Sequence, residues 1–246
     1  LVARRYGLKD IPQLVAALRN GEEPLATEAT QAMTINDTAF FRDKEPFETF
    51  RESILPQLLH VRADERRLRI WSAACAGGQE PYSIAMILQE LGKTAEGWTF
   101  DILATDLSAE MIARGRAGLY EGDELQKNVP APLLARYFGR KETHWQISES
   151  IRERVRFQQF NLLDDYAGLG RFDVVFCRNV LLYLDADVRA NVMARLMPCI
   201  AEDGYLVLGA AETVLGFSRL FETSANASGF YVKREPAHET RMAAVA

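Results

Sequence analysis

Two acids and a glycine turn carry the clearest chemical signal in the chain. The turn is CAGGQEPYS, Cys75 to Ser83. It follows an apolar run, Leu68 to Ala74, that reads as a buried strand, and it opens a helical pattern. Asp106 closes the next strand-like run. Strand, glycine turn, helix, strand and acid together hold a nucleotide-like ligand at the carboxyl edge of a parallel sheet. Gly77 and Gly78 let backbone approach the ligand, the helix start offers free N–H groups, and the acid accepts ribose hydroxyls. The turn does not fit G-x-G-x-x-G and no G-x-x-x-x-G-K-[ST] occurs, which argues against a nucleoside triphosphate. Glu80 would face a dinucleotide's pyrophosphate and repel it. An acid in that place suits a ligand with a cationic group.

S-adenosylmethionine meets these demands, with an ammonium and a sulfonium for Glu80 and a ribose for Asp106. Each acid also has an ordinary role. Glu80 sits in a first helical turn, where the dipole favours it by about 0.3–1 kcal/mol. Asp106 is placed to cap the next helix, although Ser108 is equally placed for that.

The elements that must position these groups follow from periodicity. Strand-like runs occur at LRIWSAA, WTFDILATD, RVRFQQFNLL, RFDVVFCRN, GYLVLGAAE and GFYVKRE. Helical patterns lie between several of them, at Pro81 to Leu91, Ala109 to Arg116 and Asp187 to Ile200. Strands alternating with amphipathic helices predict an α/β fold, a doubly wound and mostly parallel sheet. The last strand, Gly229 to Arg234, would form an antiparallel edge. The stretch Ala131 to Val155 breaks the rhythm: a short helix over Pro132 to Tyr137 is followed by HWQIS and ERVRF, which predicts a small antiparallel β insertion at about residues 135–157. Upstream, Leu8, Ile11, Val15 and Leu18 recur at helical spacing, with Asp10 and Pro12 at the start and Gly21 at the end. A second helix is predicted from Pro46 to Ile54, with Pro56 ending it or starting another. The expected division is an N-terminal helical module over 1–32, a main domain over 33–235 and a disordered tail over 236–246. The chain opens on Leu1 rather than Met, and a preceding segment is expected.

The 246 residues carry a net charge of −5, which argues against a nucleic-acid partner. No apolar run reaches the roughly 20 residues of a membrane span, so no direct membrane insertion is expected. Three scattered cysteines and three scattered histidines read as reduced thiols and non-ligands, with no metal site.

Five segments in order resemble the chemotaxis receptor glutamate O-methyltransferase family known as CheR. They are TINDTAFFRD (Thr34 to Asp43), CAGGQEPYSIA, ATDLS (Ala104 to Ser108), FDVVFCRNVLLYLD (Phe172 to Asp185) and GYLVLGAAE (Gly204 to Glu212). Any one alone is weak, and together they span most of the chain. The turn departs from the family pattern at Ala76, Gly77 and Gln79, and the N-terminal module is shorter than the family's. The resemblance implies a Rossmann-like class I methyltransferase that uses S-adenosylmethionine and releases S-adenosylhomocysteine.

It also implies roles. Asn36 and Thr38 would meet the methionyl end, where Glu80 pairs with its ammonium. Asp106 would take the ribose, with Asn161 and Leu162 around the adenine and Asn179 near the methionyl group. Ala74, Gly77, Leu107 and Val180 complete the cofactor contacts. Arg42 offers a planar cationic fork to cofactor or substrate carboxylate; its ordinary alternative is a surface ion pair with Asp43 or Glu45. Tyr183 would donate to the substrate carboxylate or line the methyl path. Phe40 and Phe41 would anchor their segment in the core. Arg42 and Tyr183 are thus the catalytic candidates.

The implied substrate is a glutamate in the cytoplasmic helical bundle of a methyl-accepting chemotaxis receptor. The insertion has only Gly139 and no glycine-rich loop, so independence from a C-terminal tethering peptide is expected. Arg152, Arg154 and Arg156 read as an alternating basic stripe, more often simply a solvated strand face, which could also face acidic receptor surface. A cytoplasmic monomer is expected. The competing class is a sensor or scaffold that binds the cofactor or its product without turnover.

Overall fold

A computed structural model describes residues 2–21, 23–214 and 219–234. The predicted tail lies outside the described residues. Ten strands are present: β1 Arg67–Ala73, β2 Thr99–Asp106, β3 Leu119–Tyr120, β4 Phe138–Lys141, β5 His144–Ile147, β6 Val155–Gln159, β7 Phe172–Cys177, β8 Ile200–Val207, β9 Phe221–Thr223 and β10 Phe230–Lys233. The helices are α1 Val2–Arg5, α2 Ile11–Arg19, α3 Glu23–Met33, α4 Glu45–Thr49, α5 Leu55–Val61, α6 Gln79–Glu90, α7 Ala109–Ala117, α8 Gly122–Asn128, α9 Ala131–Tyr137, α10 Glu149–Arg152 and α11 Ala186–Cys199.

Seven strands form the main sheet in the order β6-β2-β1-β7-β8-β10-β9. The first five are parallel, with Ile70 opposite both Ile102 and Val174. The edge strands β10 and β9 run antiparallel. All six residues of β7 are buried, as expected for a strand covered on both faces. Alternation along the strands sends Ile70, Ile102 and Val174 to a core under α4, α5 and α6, and Trp71, Leu103 and Val175 to a core under α11. The chain proceeds from β1 outward to β2 and β6, then returns to β7 on the other side of β1. That reversal opens a crevice beyond the strands' carboxyl ends.

Several elements differ from expectation. The N-terminal module has three helices rather than one, closed on a small core of Val2, Ala17, Leu25 and Ala29. Asp10 caps α2 by accepting the Gln13 N–H at 2.9 Å. The predicted helix from Pro46 is present as α4 and a π-helical turn, Phe50–Ile54, that continues directly into α5. Phe47 and Phe50 pack on Phe176 of β7, with ring centroids 6.2 and 5.7 Å apart.

The insertion is a three-stranded sheet of order β3-β5-β4, beginning at Leu119 rather than near residue 135. ERVRF is not part of it. Val155 and Phe157 are buried and pair with β2 as the main sheet's edge, because their alternation matches the core face. The basic strand face is therefore absent. Arg152 ends α10, Arg154 precedes β6, and only Arg156 is exposed on the strand.

Candidate functional site

A cavity of about 550 Å³ opens at the carboxyl ends of β1, β2, β6 and β7. That volume is ordinary for a small-molecule or cofactor site. Each strand delivers the short segment at its carboxyl end to it, and a further wall comes from the end of α3 and the extended arm that follows it.

The turn after β1 winds through left-handed conformations at Ala74 (φ 60°), Ala76 (φ 44°) and Gly78 (φ 92°). Only Gly78 has no room for a side chain in that conformation: a Cβ would lie 3.0 Å from the Phe157 ring and 3.2 Å from the Gly115 Cα. Gly77, read from the sequence as a cofactor contact, lies outside the cavity wall. Its carbonyl accepts the Tyr120 hydroxyl at 2.8 Å and its open side faces Arg114, so it shapes the back of the turn. Ala74, Cys75 and Ala76 present the turn to the cavity instead.

Asp106, at the end of β2, accepts the Ala76 N–H with Oδ2 and the Ser108 N–H with Oδ1, both at 2.8 Å. Ser108, not Asp106, caps α7. Burial raises the Asp106 pKa, opposed by the N–H groups of Ser108, Ala76 and Leu107. Leu107 lies beside it on the cavity wall.

Glu80 stands in the first turn of α6, buried. Ser72 donates its hydroxyl to Oε1 at 2.8 Å, and Arg178 donates Nη1–H to Oε2 at 3.1 Å. Burial raises its pKa, and Arg178 and Ser72 pull it back toward the anion. Glu80 is thus already paired with a protein cation, which the sequence reading did not include. It nevertheless lines the cavity.

Asn36, Thr38 and Arg42 reach the cavity from the arm. The arm is fastened by Phe40, buried with edge contacts to Tyr120 and Phe138 at 4.8 and 5.5 Å. Phe41 packs on Phe47 at 5.5 Å, and its N–H donates to the Ser83 Oγ at 2.9 Å. Arg42 pairs with neither Asp43 nor Glu45. It donates Nη1–H to the Asp37 carbonyl at 2.5 Å and holds the Asp37 carboxylate at 3.4 Å. Left-handed conformations at Phe41, Asp43 and Lys44 reverse the chain here, and Asp43 is instead paired with Arg178.

Asn161 and Leu162, in the loop after β6, line the cavity. The Asn161 Oδ1 accepts the Leu163 N–H at 2.9 Å, so it forms a turn as well. After β7 come Arg178, Asn179 (φ 59°) and Val180. The Asn179 loop hangs on Glu212, whose carboxylate accepts N–H groups from Asn179, Leu181 and Gly209 at 2.6, 2.8 and 2.8 Å. Tyr183 stands at the cavity, 54% exposed.

The sequence reading missed Arg178 and Glu212, both charged and both within the segments it singled out. An arginine directly after a strand with five apolar residues in six, once buried, needs acids beside it, and that was the available signal. It also missed the wall from Thr30 and Met33 of α3 and the apolar face of Phe160. Among the described residues, no three His, Cys, Asp or Glu are grouped to hold a metal. Cys75 and Cys177 are buried and free, and burial holds both as thiols, so neither is a nucleophile. No helix among the described residues is long and apolar enough to cross a membrane.

The lining therefore combines two buried acids, backbone N–H and amide groups, and small apolar faces, at the crevice where open sheets bind ligands. Residues 36–230 match the family described as CheR methyltransferase, SAM binding domain. The chain is 42% identical over 214 residues to chemotaxis protein methyltransferase 1 of Pseudomonas aeruginosa, covering 85% of this chain and 78% of that protein. It is 40% identical over 217 residues to chemotaxis protein methyltransferase Cher2 of Pseudomonas putida, covering 86% and 78%. A chemotaxis protein methyltransferase of Vibrio parahaemolyticus is 37% identical over 218 residues, covering 87% and 78%.

Proposed function

The chain belongs to the CheR methyltransferase family, and from that premise we propose that it methylates the γ-carboxylate of glutamates in the cytoplasmic helical bundle of a chemoreceptor, forming methyl esters. The observation that carries this reading is the union, in one cavity, of Asp106 from the end of β2 and Glu80 from the first turn of α6 with Arg42 from the arm and Tyr183 from the loop after β7.

The lining fits S-adenosylmethionine by its chemistry. Asp106 takes the ribose hydroxyls, having spent one N–H contact on each oxygen and keeping further lone pairs. Asn161 meets the polar edge of the adenine, while Leu107 and Leu162 cover its faces. Asn36, Thr38 and Asn179 hold the methionyl end, with Ala74 and Val180 packed beside it. Glu80 lends negative charge to the ammonium, although its pairing with Arg178 makes that charge partly shared. When bound, S-adenosylmethionine supplies an electrophilic methyl on a sulfonium, so the difficult chemistry is the cofactor's.

What remains for the protein is placement. A glutamate side chain has a pKa near 4.3, so the acceptor is already an anion at neutral pH and no side chain has to remove a proton. Arg42 orients that carboxylate with its planar fork, and Tyr183 donates its hydroxyl to it or walls the methyl path. The Arg42 guanidinium, 31% exposed, is accessible from outside and already shares its charge and hydrogen bonding with Asp37. It can therefore align an incoming carboxylate without binding it so tightly that nucleophilicity is lost.

The β4–β5 hairpin turns on Glu142 and Thr143 between Lys141 and His144. A two-residue charged turn with no glycine-rich loop supports recognition of the helical bundle itself, without a tethering peptide. We read the enzyme as a monomer acting in the cytoplasm. The test is transfer of labelled methyl to a receptor cytoplasmic fragment, scored as base-labile label released as methanol. Label that vanishes when the target glutamates become alanine is the expected result. Absence of transfer to any receptor fragment, with S-adenosylhomocysteine bound tightly, would overturn the reading in favour of a non-catalytic sensor.

A further inference from the structure

We infer that Arg178, through Asp43, is a positioning residue that latches the arm over the cavity, so that cofactor affinity depends on an ion pair whose carboxylate, Asp43, lies outside the cavity lining. The inference rests on the reading that this cavity holds S-adenosylmethionine.

Arg178 follows the last residue of β7, a strand whose six residues are all buried. Its side chain is 2% exposed. Nη1 donates to Glu80 on α6 at 3.1 Å, and Nη2 donates to the Arg42 carbonyl at 2.9 Å and to the Asp43 carboxylate at 2.7 Å. The guanidinium lies over the Phe47 ring, 5.4 Å from its centroid. One side chain thus joins the sheet, α6 and the arm.

Its hydrogen bonding shows which way the coupling runs. Nε is buried with no partner among the described residues, so the cation already forgoes one bond. Both Nη2 acceptors belong to the arm. With the arm displaced, Nη2 would lose both, leaving Glu80 as the sole anion for a buried guanidinium. Arm closure and satisfaction of Arg178 are therefore one event. Arg42, whose carbonyl is one of the two acceptors, is set by it directly.

The test uses the full chain. Asp43 is 36% exposed, so Asp43→Asn should fold. It keeps the shape and removes the charge. Its affinity for S-adenosylhomocysteine should fall about tenfold, because only molecules with the arm closed bind tightly. Hydrogen exchange should quicken at Phe41 to Lys44 and stay unchanged in β1 and β7. Asp43→Glu, which keeps the carboxylate, should recover most of the affinity, and Arg178→Lys, which lacks the fork, should not reach wild type. Wild-type affinity and wild-type arm exchange in Asp43→Asn would overturn the latch. Failure of the wild-type chain to bind S-adenosylhomocysteine would instead sink the cofactor reading, and the exchange comparison, which needs no ligand, still decides the latch.

Discussion

Asp106 accepts the backbone N–H of Ala76 at 2.8 Å, which ties the acid at the end of β2 to the turn after β1. The carboxylate that would read a ribose is thus also the brace that fixes the loop beside it. Binding and local architecture cannot be separated at this residue.

Replacing Asp106 with alanine should therefore act mainly on cofactor affinity. The ribose loses its acceptor, and the N–H groups of Ala76 and Ser108 lose theirs. Each buried unsatisfied group costs about 1–3 kcal/mol, so S-adenosylhomocysteine binding by calorimetry should weaken by at least tenfold. Turnover at saturating cofactor should change far less. Unchanged affinity would remove Asp106 from the site.

Arg42→Ala should show the opposite pattern. Loss of carboxylate alignment should cut turnover on receptor by about 100-fold, with S-adenosylhomocysteine affinity within roughly threefold of wild type. Arg42→Lys should restore only part of the rate, because an ammonium lacks the planar fork. Near-normal turnover in Arg42→Ala would refute the positioning role.

The two buried acids give a pH signature. Burial raises the pKa of both Glu80 and Asp106 above the unfolded values. Between the unfolded and folded values the native state holds more protons than the unfolded chain, so stability falls as pH rises through that window. Cofactor binding runs the other way, since ionised Asp106 is the better acceptor. Affinity should decline on acidification at a pH above the ordinary aspartate value of about 3.9. Denaturant titrations of wild type and Asp106→Asn across pH 4 to 8 would check the first effect, because the variant should show a shallower fall. Equal slopes would contradict it.

Gly78→Ala should destabilise the fold. Position 78 holds φ 92°, and the added Cβ would meet the Phe157 ring at 3.0 Å. Left-handed strain together with overpacking costs roughly 1–3 kcal/mol, visible as a lowered Tm. Gly139→Ala, in open space, is the matched control and should melt as wild type does.

Much of this site was legible because it depends on local chemistry. The runs Leu68 to Ala74 and Phe172 to Cys177 are apolar enough to be buried strands in any register. Asp10 and Ser108 cap the helices that follow them. A doubly wound sheet then brings Glu80, Asp106, Asn161 and Asn179 to one edge, because parallel strands place every carboxyl end on the same side. The arm was found only through its resemblance to a family signature. Nothing in the periodicity of Thr34 to Asp43 places it against a strand end.

The tertiary structure alone decided the partners. Arg178 meets Glu80 across 98 residues and Asp43 across 135, and Glu212 holds the Asn179 loop across 33. Such pairs depend on which segments the fold lays side by side, and residue spacing along the chain carries no record of that. Gly77 makes the same point at short range: its type suited a ligand contact, but the winding of the turn pointed it at Arg114 and gave the cavity to Ala76. The two-residue strand β3 is too short for any alternation to appear, and β5 across from it supplies the pairing that makes it a strand. Sequence determined the elements and the acids at their ends; packing decided which of those charges were free to meet a ligand and which were already committed to each other.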